Sequence, residues 1–550
     1  MSHEGRSTDD NSDTERIRNT VIMENVTNSF GSLENADQVL AEFGSYQRYV
    51  LLITTLLSFN WAIASMPIMH GTFIIDDDCI LNTTSLGTNV DNVNACMENS
   101  QTITPISEFN LRGSQRYLVE WTTSAFMLGN MIGASSLTYL SDNIGRRPVL
   151  ISSLLSLGII GILTSSAKDI VVFIIGRFIQ GFCSPGALLV GWVLGYESVP
   201  IGLRGFVTLI YGIMWVVGFC AVAPLVYFIA NWRWLMITYS IPSIVLAATY
   251  FFIIPESLHF LMVNGRKQKA AKWIRNAEKY GKVLHKRNVD MMVELLENTY
   301  LDEKMHEREK KITENLRSPL LDQLMEHKIF CIYTFILIYL WTSDTFLYYG
   351  LSNYSIHLPG NKYWNYVLSG LAELPAYITI PYALENFGRK RIVASMHFLV
   401  GITHIFLVFV PNDCVWLSTL CWLISKFGIS SSFMCIYVYG SEIFPTTMRN
   451  ACLGLCAVIA RFGGVVAPYV IVLSSVHALL PTIVFGLIAI IAGTLTCILP
   501  ETKECVLPSS LNEAVQAKHH FFESSTCQEQ SNLSTTPSVN QINKSAKELV

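Results

Sequence analysis

The stretch Thr138–Arg147, TYLSDNIGRR, has an echo later in this 550-residue chain, where Pro381–Lys390 reads PYALENFGRK. Each copy places an acid, Asp142 or Glu385, three positions before a Gly and a basic pair, Arg146-Arg147 or Arg389-Lys390. Each directly follows a long apolar run. Two further motifs repeat in the same order. Gly195-Tyr-Glu197 with Pro200 and Arg204 returns as Gly440-Ser-Glu442 with Pro445 and Arg449, and Pro255-Glu256-Ser257 returns as Pro500-Glu501-Thr502. The acids lie 243 residues apart in the first pair and 245 in the other two. Three charged motifs at a nearly constant offset mark an internal duplication.

Composition says what the two halves are made of. Hydrophobic residues make up 51% of the chain and charged ones 15%, against about a quarter charged in a soluble protein. The net charge of -4 and the lack of a basic tract point away from nucleic acid. No charged start followed by a short apolar core precedes the first long apolar run, so that run is expected to serve as the targeting signal. The polar start is expected to be disordered to about Leu40.

Apolar windows near the roughly 20 residues needed to cross a bilayer fall near 49–74, 117–140, 148–167, 170–195, 206–230 and 234–254. Six more fall near 329–352, 363–384, 392–410, 415–439, 450–473 and 477–499. The expected fold is therefore an all-α membrane protein with twelve transmembrane helices in two pseudo-repeated bundles, 49–255 and 329–500. A tail at 1–48, a central segment at 256–328 and a tail at 501–550 complete the division. The central segment holds 15 of the 38 basic residues, while the loops of the opposite face carry only Arg112, Arg116, Lys168, Arg233 and Lys362. By the positive-inside rule, the central segment, both tails and the GRR/GRK loops are expected to be cytoplasmic. Lys267–Lys282 reads as a short surface helix, with solvated linker the favoured description.

The outer loop, about 75–116, contains Cys79, Cys96 and the acceptor triplet Asn82-Thr83-Thr84. Facing an oxidising exterior, the two cysteines suit a disulfide and Asn82 a glycan. Asn353-Tyr354-Ser355 hugs the end of a span, where a glycan is not expected.

This pattern resembles the major facilitator superfamily. Finer motifs are similar to its organic cation, carnitine and organic anion transporter family, solute carrier family 22. They are Asn231-Trp-Arg-Trp-Leu, Pro255-Glu-Ser with Asn264-Gly-Arg, and Trp341 through Tyr348-Tyr349-Gly-Leu-Ser. Glu373-Leu-Pro-Ala, Lys426-Phe427, Tyr437-Val-Tyr with Glu442-Ile-Phe-Pro-Thr, Arg449, and Arg461-Phe-Gly-Gly complete the set. The resemblance runs from about Phe43 to Pro500. Thr138, Asn143 and His259-Phe260 depart from the family pattern. The resemblance implies a charge network that clamps the halves on the cytoplasmic side, formed by Asp142, Arg146, Arg147, Glu197, Arg204, Glu385, Arg389, Lys390, Glu442 and Arg449. Each of Glu197 and Glu442 precedes its Arg by seven residues with a Pro between, so their partners should come from other helices.

Charges inside the membrane are expensive and default to function. Trp341, Asp344 and Tyr348, at i, i+3 and i+7, share a helical face next to Tyr349. Lys426, Ser430, Phe433 and Tyr437 form a second polar-aromatic stripe, for which ordinary helix packing weighs equally at Phe433 and Tyr437. Glu373 precedes Pro375 in the eighth run, and Arg461 sits midway along the eleventh. Arg177, beside Gln180 and Gly181, reads as structural. For Asp344, Lys426 and Arg461 the competing reading is a structural ion pair. Aromatic faces with few fixed charges suit bulky organic ions, and Arg pairs bidentately with carboxylate or sulfate. Arg at position 461 resembles the anion and carnitine branches of the family, and Asp344 adds a negative group that a zwitterion would satisfy.

The expected function is a plasma-membrane secondary transporter of organic ions working by alternating access. Organic anions or carnitine-like zwitterions are favoured over organic cations. No cofactor or covalent chemistry is expected: no nucleotide loop, metal cluster or nucleophile triad stands out. Sodium, a proton or an exchanged anion are the open coupling partners. A sugar porter-like facilitator is one alternative, disfavoured by intramembrane charges that a neutral sugar does not need. A non-transporting receptor or scaffold that retains the fold is the other.

Overall fold

The computed structural model describes residues 36–43, 48–74, 103–111, 115, 117–281, 293, 328–411, 413–444 and 449–503. Twelve long helical elements follow in order. The first half contains α1 (Arg48–Met69), α2 (Tyr117–Ile144), α3 (Arg146–Ser165), α4 (Ile170–Glu197), α5 (Arg204–Phe228) and α6 (Trp232–Ile253). The second contains α7 (Lys328–Tyr354), α8 (Lys362–Leu371, continued by Glu373–Phe387), α9 (Arg389–Val408), α10 (Val415–Ile443), α11 (Arg449–Val466) and α12 (Leu480–Thr496). All twelve apolar runs are helical, and no strand occurs among the described residues.

Ten of the twelve are long and apolar enough to cross a bilayer on those grounds alone. The other two are α2, polar through Glu120, Asn130, Asp142 and Asn143, and α12, which has 17 residues. The duplication brings both into the count. Phe228, Phe252, Phe409 and Val476 are each more than three-quarters exposed, as expected of an outer surface solvated by lipid rather than water.

The three repeated motifs meet at one end of each half, here called the motif face. Between α2 and α3 the chain turns at Gly145 with φ +122°, and between α8 and α9 at Gly388 with φ +92°. Both lie in the left-handed region that Gly tolerates best. Space demands Gly as well: a Cβ on Gly388 would sit 2.6 Å from Glu501 Oε2, and Glu256 crowds Gly145 in the same way. The reason is that each carboxylate caps the next helix. Glu256 accepts from Arg146 N (3.0 Å) and Arg147 N (3.1 Å), and Glu501 from Arg389 N (2.8 Å) and Lys390 N (3.4 Å). Anions are favoured at such helix N-termini, whose amides have no intrahelical partner.

The two halves touch toward the opposite face. Ser124 on α2 donates to Val465 O (2.8 Å), Tyr366 on α8 donates to Met69 O (3.1 Å), and Thr72 donates to Asn353 Oδ1 (2.9 Å). Asn353 is thus a buried bonding partner between halves.

Two expectations on the motif face are corrected. The helix Ala36–Phe43 orders part of the segment expected to be disordered, and its Ala36, Val39 and Leu40 are buried. The helix Lys267–Gly281 is not simply solvated. It buries Ala270, Ala271, Trp273, Ile274 and Ala277, and Trp273 and Tyr280 pack on Tyr49 of α1 at 6.0 and 5.8 Å between ring centroids. Its apolar residues recur at helical spacing, so one face docks while its charges stay out. Cys79, Asn82 and Cys96 lie outside the described residues, as do Pro445, most of the outer loop and the bulk of both tails and the central segment.

Candidate functional site

On the motif face, Arg146 is the hub of the first half. Its guanidinium meets Asp142 (3.1 Å) and Glu197 (3.3 Å), and Ser257 donates to Glu197 at 2.5 Å. Arg389 holds the same place in the second half, with Glu442 at 3.0 Å and Thr502 donating to Glu442 at 2.6 Å. Glu197 and Glu442 thus draw their partners from other helices, as their spacing required. Arg147 donates to Phe251 O, and Arg449 to Phe444 O at 3.3 Å.

Three features depart from the expected clamp. Every ion pair found for these motif residues lies within one half rather than between halves. Glu385 is exposed and has no ion pair among the described residues, so it does not reproduce Asp142. Arg204 pairs with Asp37 of the short helix Ala36–Phe43 (2.6 Å) and lies over the Tyr196 ring. The acids that repeat in place and partner are Glu197 with Glu442 and Glu256 with Glu501. Their 245-residue offset was visible in the sequence, but a helix-capping role has no signature without the turn geometry.

Deep between the faces, the second half carries most of the buried charge. Lys426 on α10 and Glu373 on α8 form an ion pair of 3.0 Å, both wholly buried. Lys426 also donates to Ser352 Oγ (2.7 Å) and to Tyr348 O (3.4 Å), and its ammonium sits 3.5 Å from the centroid of the Tyr348 ring. Tyr377 donates to Glu373 (3.2 Å). From the first half, Trp215 on α5 donates to the Tyr348 hydroxyl at 2.8 Å, and Phe219 lies beneath Lys426. Trp215 and Phe219 sit among many apolar residues of their span and carry no signal in the sequence.

An aromatic ladder joins α7 to α10. Trp341 meets Tyr437 at 4.4 Å, Tyr437 meets Phe433 at 5.6 Å, and Phe433 stacks on Tyr348 at 5.8 Å, with Tyr349 edge-on at 5.2 Å. Tyr437 is 45% exposed and Phe433 half-buried, so these two rings front open space, while Trp341, Tyr348 and Tyr349 are buried behind them.

Asp344 does not join that front. It is wholly buried and paired with His397 on α9 at 2.8 Å, while Ser432 on α10 donates to its other oxygen at 3.2 Å. Neither Arg461 nor Lys426, the partners weighed from sequence, neutralises it. His397 escaped notice because a lone His in an apolar run is usually a satisfied packing residue.

Arg461 stands apart. It is half-buried on α11 and close enough to Tyr349 and Tyr437 to interact electrostatically with both. One turn along, Gly464 faces Tyr349 and Met127 of α2, so Arg461 borders the seam between halves. Among the described residues it is the intramembrane Arg or Lys with no hydrogen bond or ion pair. Arg177, by contrast, is fully buried, donates to Pro67 O (3.0 Å) and Gln180 (3.3 Å), and lies over Phe126. That is the structural arrangement expected of it. Among the described residues no cluster of His, Cys, Asp and Glu is arranged to hold a metal ion.

Two duplicated helical halves, a buried polar-aromatic seam between them and matched charge clusters at one end define a membrane transporter. A family model described as "Sugar (and other) transporter" matches residues 53–509. A candidate transporter of Caenorhabditis elegans is 35% identical over 84% of this chain and 87% of its own length. An organic cation transporter protein of Drosophila melanogaster is 32% identical over 70% of each chain, and solute carrier family 22 member 1 of Oryctolagus cuniculus is 32% identical over 70% and 67%. The chain belongs to solute carrier family 22 of the major facilitator superfamily. Its fold is similar to that of the inward-open Escherichia coli xylose transporter, with a TM-score of 0.57 at 17% identity over 83% of this chain and 98% of that one.

Proposed function

We propose that the protein carries organic anions across the plasma membrane by alternating access, with the motif face and both termini in the cytoplasm. The observation that carries this reading is the pairing pattern of the intramembrane charges. Glu373 neutralises Lys426 and His397 meets Asp344, which leaves Arg461 as the intramembrane Arg or Lys with no hydrogen bond or ion pair among the described residues. A planar guanidinium beside two phenols and an aromatic ladder suits a carboxylate or sulfonate on an aromatic body. With Asp344 buried and paired to His397, the zwitterion reading has less to support it. Trp341, Tyr348, Tyr349, Phe433 and Tyr437 would form the wall, and Glu373–Lys426 would brace it.

The clusters around Arg146 and Arg389 act in this scheme as rigid corners of each half. They clamp the halves when these approach at the motif face in the alternate state. A second reading, organic cations, is favoured by the ladder itself and by the named function of the Drosophila relative.

Uptake into cells expressing the full chain decides between them. The panel is a labelled aromatic sulfonate, a dicarboxylate, a carnitine-like zwitterion, a quaternary amine and a hexose, each with and without sodium. Saturable sulfonate or dicarboxylate uptake supports the proposal. Uptake of the amine alone would establish the second reading, and uptake of the hexose alone would overturn both.

A further inference from the structure

We infer that Asp344, His397 and Ser432 form a proton-binding site that couples anion movement to a proton, an inference that rests on the transport reading above.

His397 Nδ1 lies 2.9 Å from Val393 O, and a carbonyl oxygen only accepts, so this contact is a hydrogen bond in the tautomer that carries hydrogen on Nδ1. His397 Nε2 lies 2.8 Å from Asp344 Oδ1. A neutral imidazole with hydrogen on Nδ1 would then set a lone pair against a carboxylate lone pair in a wholly buried site. One more proton resolves the conflict, either as imidazolium beside carboxylate or as carboxylic acid donating to Nε2. In both forms the pair is neutral overall, which is the form a membrane interior favours. Ser432 Oγ, 3.2 Å from both Asp344 Oδ2 and His397 Nδ1, supplies the remaining polar contact.

Position makes this a coupling site rather than an isolated pair. Asp344 is on α7 between Trp341 and Tyr348, so it lies directly behind the aromatic ladder. His397 is on α9, and Ser432 neighbours Phe433 on α10. A shift of α7 or α10 against α9 within the second half, accompanying the change of access, would separate the acid from the ring and release the proton. The other ionisable groups on the packed helices are few. Cys435 and Tyr437 on α10 sense Asp344, Arg461 on α11 senses Tyr437, and Glu373 with Tyr377 on α8 is engaged with Lys426. The sequence of α12 contains no ionisable side chain. On α9 itself, His404 provides an internal contrast. Its Nδ1 also meets a carbonyl, Val400 O at 3.0 Å, but its side-chain partner is Ser425, not an acid. The contrast shows that helix-bonded histidine is common to both sites and that the carboxylate is what is special at His397.

The test uses full-length protein in sealed vesicles with a labelled aromatic sulfonate, which stays ionised and so crosses only on the carrier. Exchange of labelled for unlabelled sulfonate at symmetrical pH is measured first; no exchange would overturn the transport reading itself. With exchange established, an inside-alkaline gradient of about one pH unit should drive accumulation approaching tenfold, the limit for one proton per anion. An entrapped pH dye should report internal acidification in step with uptake. Exchange without accumulation or acidification in the wild-type protein overturns the proton site. The double variant Asp344→Asn/His397→Gln, which leaves no orphaned buried charge, should keep exchange and lose accumulation. His404→Gln should keep both. Accumulation persisting in the double variant would place the proton elsewhere and overturn the assignment.

Discussion

At the motif face the two halves of this transporter are near copies. Arg146 with Glu197, Glu256 and Ser257 is matched partner for partner by Arg389 with Glu442, Glu501 and Thr502. In the interior they diverge. The first half buries Arg177 against carbonyls and a ring, whereas the second packs Asp344–His397, Glu373–Lys426 and Arg461 along α7 to α11. The charged corners are alike in the two halves and the polar interior is not; under the proposed function it is the second half that would read the cargo.

The largest effects should come from breaking the interior pairs. Lys426→Met or Glu373→Gln alone orphans a buried charge, a loss of about 3–5 kcal/mol. Surface biotinylation should therefore show little folded protein for either. The double variant should recover much of it. Equal surface levels in the singles would mean that these charges are not paired in the membrane.

Next come the motif-face caps. Glu256→Gln and Glu501→Gln should each lower maximal uptake several-fold, since a lost charge-assisted hydrogen bond costs about 1.5–3 kcal/mol. Similar sizes in the two halves are expected. Glu385→Gln should be silent and Asp142→Asn mild. A severe Asp142→Asn/Glu385→Gln phenotype with intact Glu256 and Glu501 would restore the first acids to the gate and break the matched-corner comparison.

Much of this was legible before any coordinates. Apolar windows located twelve helices, and the constant offset located three motifs that converge in space. Spacing alone could not say which acid of each set does the holding: Asp142 and Glu385 sit at the more conspicuous place, while Glu256 and Glu501 reach the helix ends through a positive-φ turn. In the interior, Glu373, Lys426, Asp344 and Arg461 stood out because charge is rare in a membrane. Their pairing was not readable, since it depends on how α8, α9 and α10 pack across sequence separations of about 50 to 90 residues. His397 was invisible for the same reason. The docking of Ala36–Phe43 was hidden by its polar surroundings.

Smaller effects mark where the halves differ outside the membrane. Asp37→Asn should loosen the short helix over Arg204 by about 1 kcal/mol, since the pair is partly solvated and screened, and more salt should shrink the difference. Thermal melting at two ionic strengths measures it, and no salt dependence would argue against the pair. On the opposite face Glu108 accepts from Arg233 and Trp232. Burial alone would raise its carboxyl, but these bonds outweigh burial and hold it below the usual carboxylate range. Its stabilisation is therefore complete above that range and lost as pH falls through the folded value. Melting temperature followed from pH 6 down to pH 3 should fall more steeply at the acid end in the wild type than in Glu108→Gln, and parallel curves throughout would discount the contact.

The most direct test of the account concerns Arg461. Arg461→Gln should leave surface levels near normal, because no protein carboxylate is orphaned, and should abolish saturable uptake of an aromatic sulfonate. Arg461→Lys should restore only part of it, since an ammonium cannot reproduce the planar fork. Sulfonate uptake by Arg461→Gln at the wild-type rate and affinity would contradict the claim that this residue holds the anion.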